Sequence, residues 1–381
     1  MKKIYLDNAA TTALDPIVIE AMTDVMKNNY GNPSSIHSFG RESRALIENA
    51  RKSIAKELNV SPGEIFFTSG GTEANNTALY CSVRDLGIKH IITSAIEHHA
   101  VLHTAEALAH SDSIKLSLVK LNEKGDVDLD HLEELLKSND KTLVSLMEAN
   151  NEIGNLLPMK KVGELCEKYN ALFHSDTVQT MGHYTHNLQH INVHFITCSA
   201  HKFHGPKGVG FLYISNKVKI HPFIYGGAQE RNMRGGTENM YGIIGLAKAF
   251  ELAEQNISKD KAYIESLKAH MVKALKENIP GVEFNGASEK EGLYTVLNVS
   301  FPPTEMAEMF LFRLDIAGIA ASGGSACSSG SNVGSHVLNA IHCNPERPAI
   351  RFSFSKFNTI QDIDYCIEQL KELYAVVGSG I

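Results

Sequence analysis

From about residue 60 to residue 215 the chain alternates short apolar runs with stretches whose apolar residues recur at helical spacing. The strand-like runs are Glu64-IFFTS, His90-IITSA, Thr142-LVSLMEA, Ala171-LFHSD, His194-FITCS and Val209-GFLYI. Between them lie segments such as Met159-KKVGELCEKYN, amphipathic at the helical period. This alternation predicts an α/β fold with a mainly parallel, doubly wound sheet. Ligands of such sheets bind beyond the carboxyl ends of the strands, and the polar clusters of this chain fall there.

Downstream of Gly242 a helical stretch runs to about Ile279 and leads into a second region, with strand patterns at Tyr294-TVLNVSF and Ala349-IRFSF and a final helix from about Gln361 to Val377. We expect an N-terminal arm (1–15) that joins the smaller domain, a large domain (16–260) and a small α+β domain (261–381). A chain of 381 residues with 43% hydrophobic content is long enough to bury two cores. A formal net charge of −7, with no dense Lys/Arg cluster, argues against a nucleic-acid surface. Met1-KKIYLDNAATT is too short and too polar for a signal peptide, and the apolar runs have strand length, not membrane-span length. The six cysteines lack CxxC spacing and read as reduced thiols, which makes the cytoplasm the expected compartment.

Lys202 directly follows the His194-FITCS run and precedes a Gly/Pro turn. A lysine at the end of a buried strand is desolvated, which lowers its pKa and makes its amine nucleophilic. Asp176 ends the preceding strand-like run, with Gln179 one turn further on. A lysine for a Schiff base and an aspartate for a pyridinium nitrogen are what pyridoxal phosphate requires of a protein. In Glu64-IFFTSGGTEANN a strand gives way to paired glycines and a helix. Gly71 and Thr72 are therefore candidates for binding a phosphate at a helix N-terminus, although Thr72 as a plain helix cap explains the pattern equally well. The loop is neither a Walker A nor a GxGxxG motif.

His98 follows another strand end and is placed to stack on an aromatic cofactor. The rival reading is a metal site on His98, His99 and His103, as in a zinc hydrolase; but Glu97 is not placed as in HExxH and no cysteine joins the group. His183, His186 and His190 fall in a polar loop and read as solvated. Ala320-ASGGSACSSGSNVGSH is a Gly/Ser-rich loop around Cys327, where a thiol is able to reach a substrate, whereas Cys198 sits within a strand. Arg351 is suited to hold a carboxylate through a two-pronged hydrogen bond, and Asn151, after a strand, to orient the same substrate.

Taken in order, YLDNAATT, GNPSSIHSFG, FTSGGTEANN, EHHAVL, NNEIG, HSDTVQT, SAHKFHGPKG, RGGTEN, SGSACSSG and AIRFSFSKFNT run nearly end to end. In these motifs the chain resembles the cysteine desulfurases of the NifS/IscS type, within the class V aminotransferase family of fold-type I pyridoxal-phosphate enzymes. The resemblance implies that Lys202 carries the cofactor as a Schiff base, that Asp176 pairs with the pyridine nitrogen, that Gln179 bonds the ring hydroxyl and that His98 stacks on the ring. Gly71, Thr72, Ser199 and His201 would bind the phosphate, joined by Thr237 from the partner subunit of a homodimer. Asn151 and Arg351 would hold the carboxylate of L-cysteine, and Cys327 would accept its sulfur for delivery to an acceptor protein, an iron–sulfur scaffold or a sulfur carrier. Selenocysteine lyase and aminotransferase chemistry on the same fold are the alternatives. Cys327 lies in SGSAC followed by a Ser/Gly stretch, as in the NifS/IscS branch, and not in the tighter RxGxxC context of the SufS-like branch.

Overall fold

The computed structural model describes residues 3–111, 114–137, 141–304, 309–323 and 334–378. Its strands are β1 (Ile4–Tyr5), β2 (Ile65–Thr68), β3 (His90–Thr93), β4 (Lys115–Leu118), β5 (Thr142–Ser145), β6 (Leu172–Asp176), β7 (Phe195–Ser199), β8 (Gly210–Ile214), β9 (Glu283–Phe284), β10 (Val296–Ser300), β11 (Ile319–Ala320) and β12 (Ala349–Ser353). Its helices are α1 (Pro16–Asn28), α2 (Ser38–Glu57), α3 (Gly71–Leu86), α4 (His99–Ser111), α5 (Leu129–Leu136), α6 (Met159–Lys168), the single turn α7 (Gln229–Asn232), α8 (Met240–Asn278), α9 (Phe310–Ile316), α10 (His336–Ala340) and α11 (Ile360–Gly378).

Seven strands form one sheet in the order β2-β8-β7-β6-β5-β3-β4. The α/β class and the mainly parallel sheet are as expected, with one exception, β8, which runs antiparallel to both β7 and β2. The cause is the brevity of the link: only residues 200–209 separate β7 from β8. A parallel return needs a crossover of about a dozen residues or more. Because β2 is antiparallel to β8, it points the same way as β7, so the carboxyl ends of β2, β3, β5, β6 and β7 share one edge. Strand β4 is absent from the sequence-based expectation. It is an edge strand of partly exposed residues, without the buried apolar run that marks its neighbours.

A second sheet, β12-β10-β9, is antiparallel, and β1 pairs in parallel with β11. Helix α8 joins the two regions. Its first half buries Ile243, Leu246 and Phe250 in one core, and its second half buries Ile264, Leu267 and Met271 in another.

The N-terminal segment crosses both regions. Beyond the β1–β11 pairing, the N–H of Ser353 donates to the Leu6 carbonyl (2.7 Å) and Asn8 Nδ2 to the Ser353 carbonyl (2.8 Å). Further along, the N–H of Thr12 donates to the His201 carbonyl (2.9 Å) and that of Asp15 to the His204 carbonyl (3.1 Å). Residues 4–15 thus stitch β12 to the turn that carries Lys202.

Two buried ion pairs lock loops onto this frame. Arg51 on α2 meets Glu230 in a fork of two 2.8 Å contacts, and Glu230 also accepts from the Phe67 N–H. Glu230, Arg231 and Asn232 all have positive φ, a strained run for non-glycine residues that this anchor holds in place. The second pair corrects the sequence reading. His186 is not solvated; it is buried, with Nε2 2.7 Å from Glu148. Glu148 also accepts from the Thr180 hydroxyl. His183 is likewise engaged, to the Tyr294 hydroxyl (3.1 Å) and the Lys202 carbonyl (3.2 Å). His190 alone of the three is exposed.

Burial pushes the His186 imidazole toward neutrality, but the Glu148 carboxylate outweighs it, and the pKa is raised; Glu148 is correspondingly lowered. Glu254, which also faces His186, is pushed up to about 7 by burial. A cation with a raised folded pKa stabilises most below its unfolded pKa, and this contribution disappears as pH rises through the folded value. The unfolding free energy lost in His186→Gln is therefore expected to be largest near pH 6 and to shrink as pH rises to 9. Chemical unfolding at both pH values checks this, and a pH-independent difference would contradict it. Glu230→Ala removes the bidentate partner of buried Arg51, leaving it Glu48 (3.2 Å) and the Ile65 carbonyl (2.8 Å), and is expected to cost about 3 kcal/mol of stability, read from the same unfolding curves.

Candidate active site

One pocket opens at the carboxyl edge of the large sheet. It is lined by Gly71, Thr72, His98, Asn151, Asp176, Gln179, Ser199, His201, Lys202 and Arg351, together with Ala9, Ala10, Asn75, Met147 and Val178. Ten of the twelve residues singled out in the sequence therefore meet in one place. Thr237 does not: it is exposed on the loop after α7, in a separate depression beside Ser69 and Gly208. Cys327 lies outside the described residues.

Each wall follows from local chain geometry. The β2–α3 turn places Gly70 at φ 146°, open only to glycine, as the cap of α3. The cap carries no side-chain hydrogen bond, so Thr72 is not the N-cap but a first-turn residue facing the pocket. A Cβ on Gly71 would lie 2.7 Å from Val178 Cγ2, so the backbone comes as close to the pocket as glycine permits. The leading N–H groups of α3 have no partner within the helix and suit an anion. On the neighbouring turn, Ser199 and His201 add a hydroxyl and an imidazole. His201 Nδ1 lies 3.1 Å from the Thr11 hydroxyl, and burial together with Lys202 and Lys207 pushes its pKa down to about 4, leaving it neutral.

Asp176 ends β6. Its Oδ1 accepts from the N–H of Val178 (3.0 Å) and its Oδ2 from Asn75 Nδ2 (2.6 Å). His98 precedes α4, and its Nδ1 accepts from the Ala100 N–H (3.1 Å), which fixes the proton on Nε2. Burial lowers the His98 pKa, only partly offset by Asp176, so the ring is neutral and fit to stack. Its neighbour Glu97 is buried, accepts from the Met147 N–H (2.9 Å) and the Ser94 hydroxyl (3.1 Å), and is raised to about 8, chiefly by burial. His99 stacks on His103 (4.6 Å between ring centres) and meets His336 at a tilt (4.5 Å). Among the described residues, no three His, Cys, Asp or Glu side chains converge as metal ligands.

Lys202 Nζ donates to the carbonyls of Ala9 (2.6 Å) and Ala10 (2.9 Å), and Gln179 Nε2 also donates to Ala9 (3.0 Å). Arg351 is fully buried on β12. Its guanidinium contacts Asp7 (2.9 Å) and the Asn151 carbonyl (3.1 Å), while its Nε has no partner. Asn75 and the Ala9–Ala10 carbonyls are unforeseen members of the pocket, with His174 behind Asn75. Only the small-residue run in YLDNAATT hinted at a segment able to lie flat against a ligand.

The donor set fits pyridoxal phosphate: hydrogen-bond donors and a glycine cradle at one wall, a carboxylate at another, a flat neutral imidazole, and a lysine amine between them.

The comparisons agree. The Aminotransferase class-V model matches residues 4–366. The chain is 43% identical over 376 residues to the cysteine desulfurase IscS of Dictyoglomus turgidum, covering 98% of this chain and 94% of that one. Among solved structures, a NifS-like protein superposes with a TM-score of 0.90 at 37% identity, covering 98% of this chain and all of the other. A structure described as SspA in complex with cysteine superposes with a TM-score of 0.81 at 29% identity, covering 94% of this chain and all of the other. A lysine and a carboxylate facing one pocket, on a fold and sequence matched almost end to end, place this chain in the class V aminotransferase family, whose cofactor is pyridoxal phosphate.

Proposed function

We propose that this chain is a pyridoxal-phosphate-dependent cysteine desulfurase. It converts L-cysteine to L-alanine and takes the sulfur onto Cys327 as a persulfide, so that L-cysteine and the Cys327 thiol give L-alanine and Cys327–S–SH. The observation that carries this reading is the meeting of Lys202, Asp176, His98 and Arg351 in one pocket.

Lys202 would hold the cofactor covalently, and Asp176 would accept from its ring nitrogen. Gln179 would bond the ring hydroxyl, His98 would stack on the ring, and Gly71, Thr72, Ser199 and His201 would take the phosphate. When bound, the cofactor would supply an electron sink at the substrate Cα. The unpartnered Nε–H of Arg351 and the side chain of Asn151 take the substrate carboxylate, which orients Cα toward Lys202. The Lys202 amine, facing the pocket, would take up the substrate Cα proton. The Cys327 thiolate attacks the substrate sulfur; the Cβ–S bond breaks, its electron pair stays with the carbon fragment, and protonation there completes alanine.

A homodimer accounts for Thr237. It is exposed on a loop anchored just upstream, by Glu230 to Arg51 and by Arg234 to Glu73 (3.0 Å), and would reach another subunit's phosphate site. Exposed Ile36, Tyr30 and Phe39 at the α1–α2 connection add an apolar surface of the kind that a second copy covers. No helix among the described residues is long and apolar enough to cross a membrane. We place the protein in the cytoplasm, handing its sulfur to an iron–sulfur scaffold or a sulfur carrier.

Two variants test the assignment. After borohydride reduction, wild type is expected to carry the cofactor mass on the Lys202 peptide, and Lys202→Ala to carry none. Cys327→Ala is expected to keep the cofactor while alanine formation from L-cysteine falls on the order of a hundredfold or more. Full alanine production by Cys327→Ala would remove the thiol from the mechanism and favour an aminotransferase.

A further inference from the structure

Behind the pocket, four side chains form a continuous hydrogen-bonded line. Ser145 Oγ lies 2.8 Å from His174 Nδ1, His174 Nε2 lies 3.1 Å from Asn75 Oδ1, and Asn75 Nδ2 lies 2.6 Å from Asp176 Oδ2. The geometry follows from the sheet. His174 and Asp176 are two residues apart on β6 and so share a face, and the β5–β6 register sets Ser145 opposite His174. Asn75 reaches them from the first turns of α3. Ser145 and His174 are 0% exposed, Asn75 1% and Asp176 5%, so water cannot replace any link.

The direction of every bond in the line is determined. An ionised Asp176 only accepts, so Asn75 presents its NH2 to it and turns Oδ1 away. That Oδ1 only accepts, so His174 donates from Nε2. Burial pushes the His174 pKa down to about 4, so the neutral ring carries a single proton, Nδ1 is bare, and the Ser145 hydroxyl donates to it. All three donors thus point toward one carboxylate, and each bond polarises the next.

We propose that Asn75, His174 and Ser145 are positioning residues that form a neutral, one-directional relay, stabilising the charge and orientation of Asp176 so that a ring nitrogen bound against it keeps its proton. This deepens the reading above and rests on the assignment of Asp176 to that nitrogen. Without the relay the buried carboxylate competes more strongly for the shared proton, which is drawn off the ring; an unprotonated ring is a poorer electron sink. The other titratable groups that feel the Asp176 charge are Glu97 and His98 on the β3–α4 connection and Cys198 on β7, with Lys202 lining the same pocket.

The test is 15N NMR of the holoenzyme loaded with cofactor labelled at the ring nitrogen, recorded from pH 6 upward until the nitrogen loses its proton. In wild type the nitrogen is expected to read as protonated through pH 9 and to titrate above it. Asn75→Leu, similar in size but without a donor, is expected to lower the pH at which the proton leaves by about one to two units. His174→Phe, one link further away, is expected to lower it by a few tenths of a unit, about what loss of polarisation along a chain produces. His174→Gln, whose amide is still able to donate to Asn75, is expected to restore the wild-type titration. A structural role alone would not distinguish Phe from Gln in this readout. Should Asn75→Leu fail to retain cofactor after borohydride reduction, the His174 pair decides. Wild-type titrations in Asn75→Leu and His174→Phe would overturn the relay if Asp176→Ala shifts the signal. No shift in Asp176→Ala would instead overturn the assignment of Asp176, and the relay with it.

Discussion

The carboxylate of Asp176 is the charge around which the site is arranged. A buried carboxylate without partners is unfavourable by several kcal/mol, so its environment has to be built with it. The Val178 N–H and the Asn75 amide supply its contacts, and each comes from an element fixed by the sheet: the turn after β6 and the first turns of α3. The same two elements line the pocket with Val178 and Gly71, whose close approach leaves no room for a Cβ. The binding surface and the stabilisation of its central charge are therefore one construction.

The opposite wall is built from the chain's first residues. Ala9 and Ala10 present carbonyls to Lys202, Thr12 and Asp15 bond the turn around it, and Leu6 and Asn8 hold β12, from which Arg351 projects. Arg351 in turn touches Asp7 of the same segment. A segment a dozen residues long thus sets Lys202 relative to Arg351 across the pocket.

Much of this was legible in the sequence, because strands that end in chemistry-bearing residues are a local signal. Asp176, Lys202 and Gly71 each follow a buried run whose burial the apolar pattern predicts. What escaped notice depends on partners distant in sequence. His186 looks solvated among polar neighbours, and only Glu148 across the fold gives it a buried partner. Asn75 is an ordinary helical asparagine until the fold brings Asp176, 101 positions away, within 2.6 Å. The reversal of β8 was in principle readable from its short connection, but the apolar run of Val209-GFLYI looks the same in either direction. Edge strand β4 gave no signal because its residues are only partly buried.

The most direct measurement is the amount of alanine and sulfide released from L-cysteine by the cofactor-loaded protein in the presence of a reducing thiol. The account predicts equal amounts of both, since each turnover leaves one alanine and one sulfur that the thiol then releases from Cys327. Bound cofactor with neither product would contradict the assignment of L-cysteine as substrate.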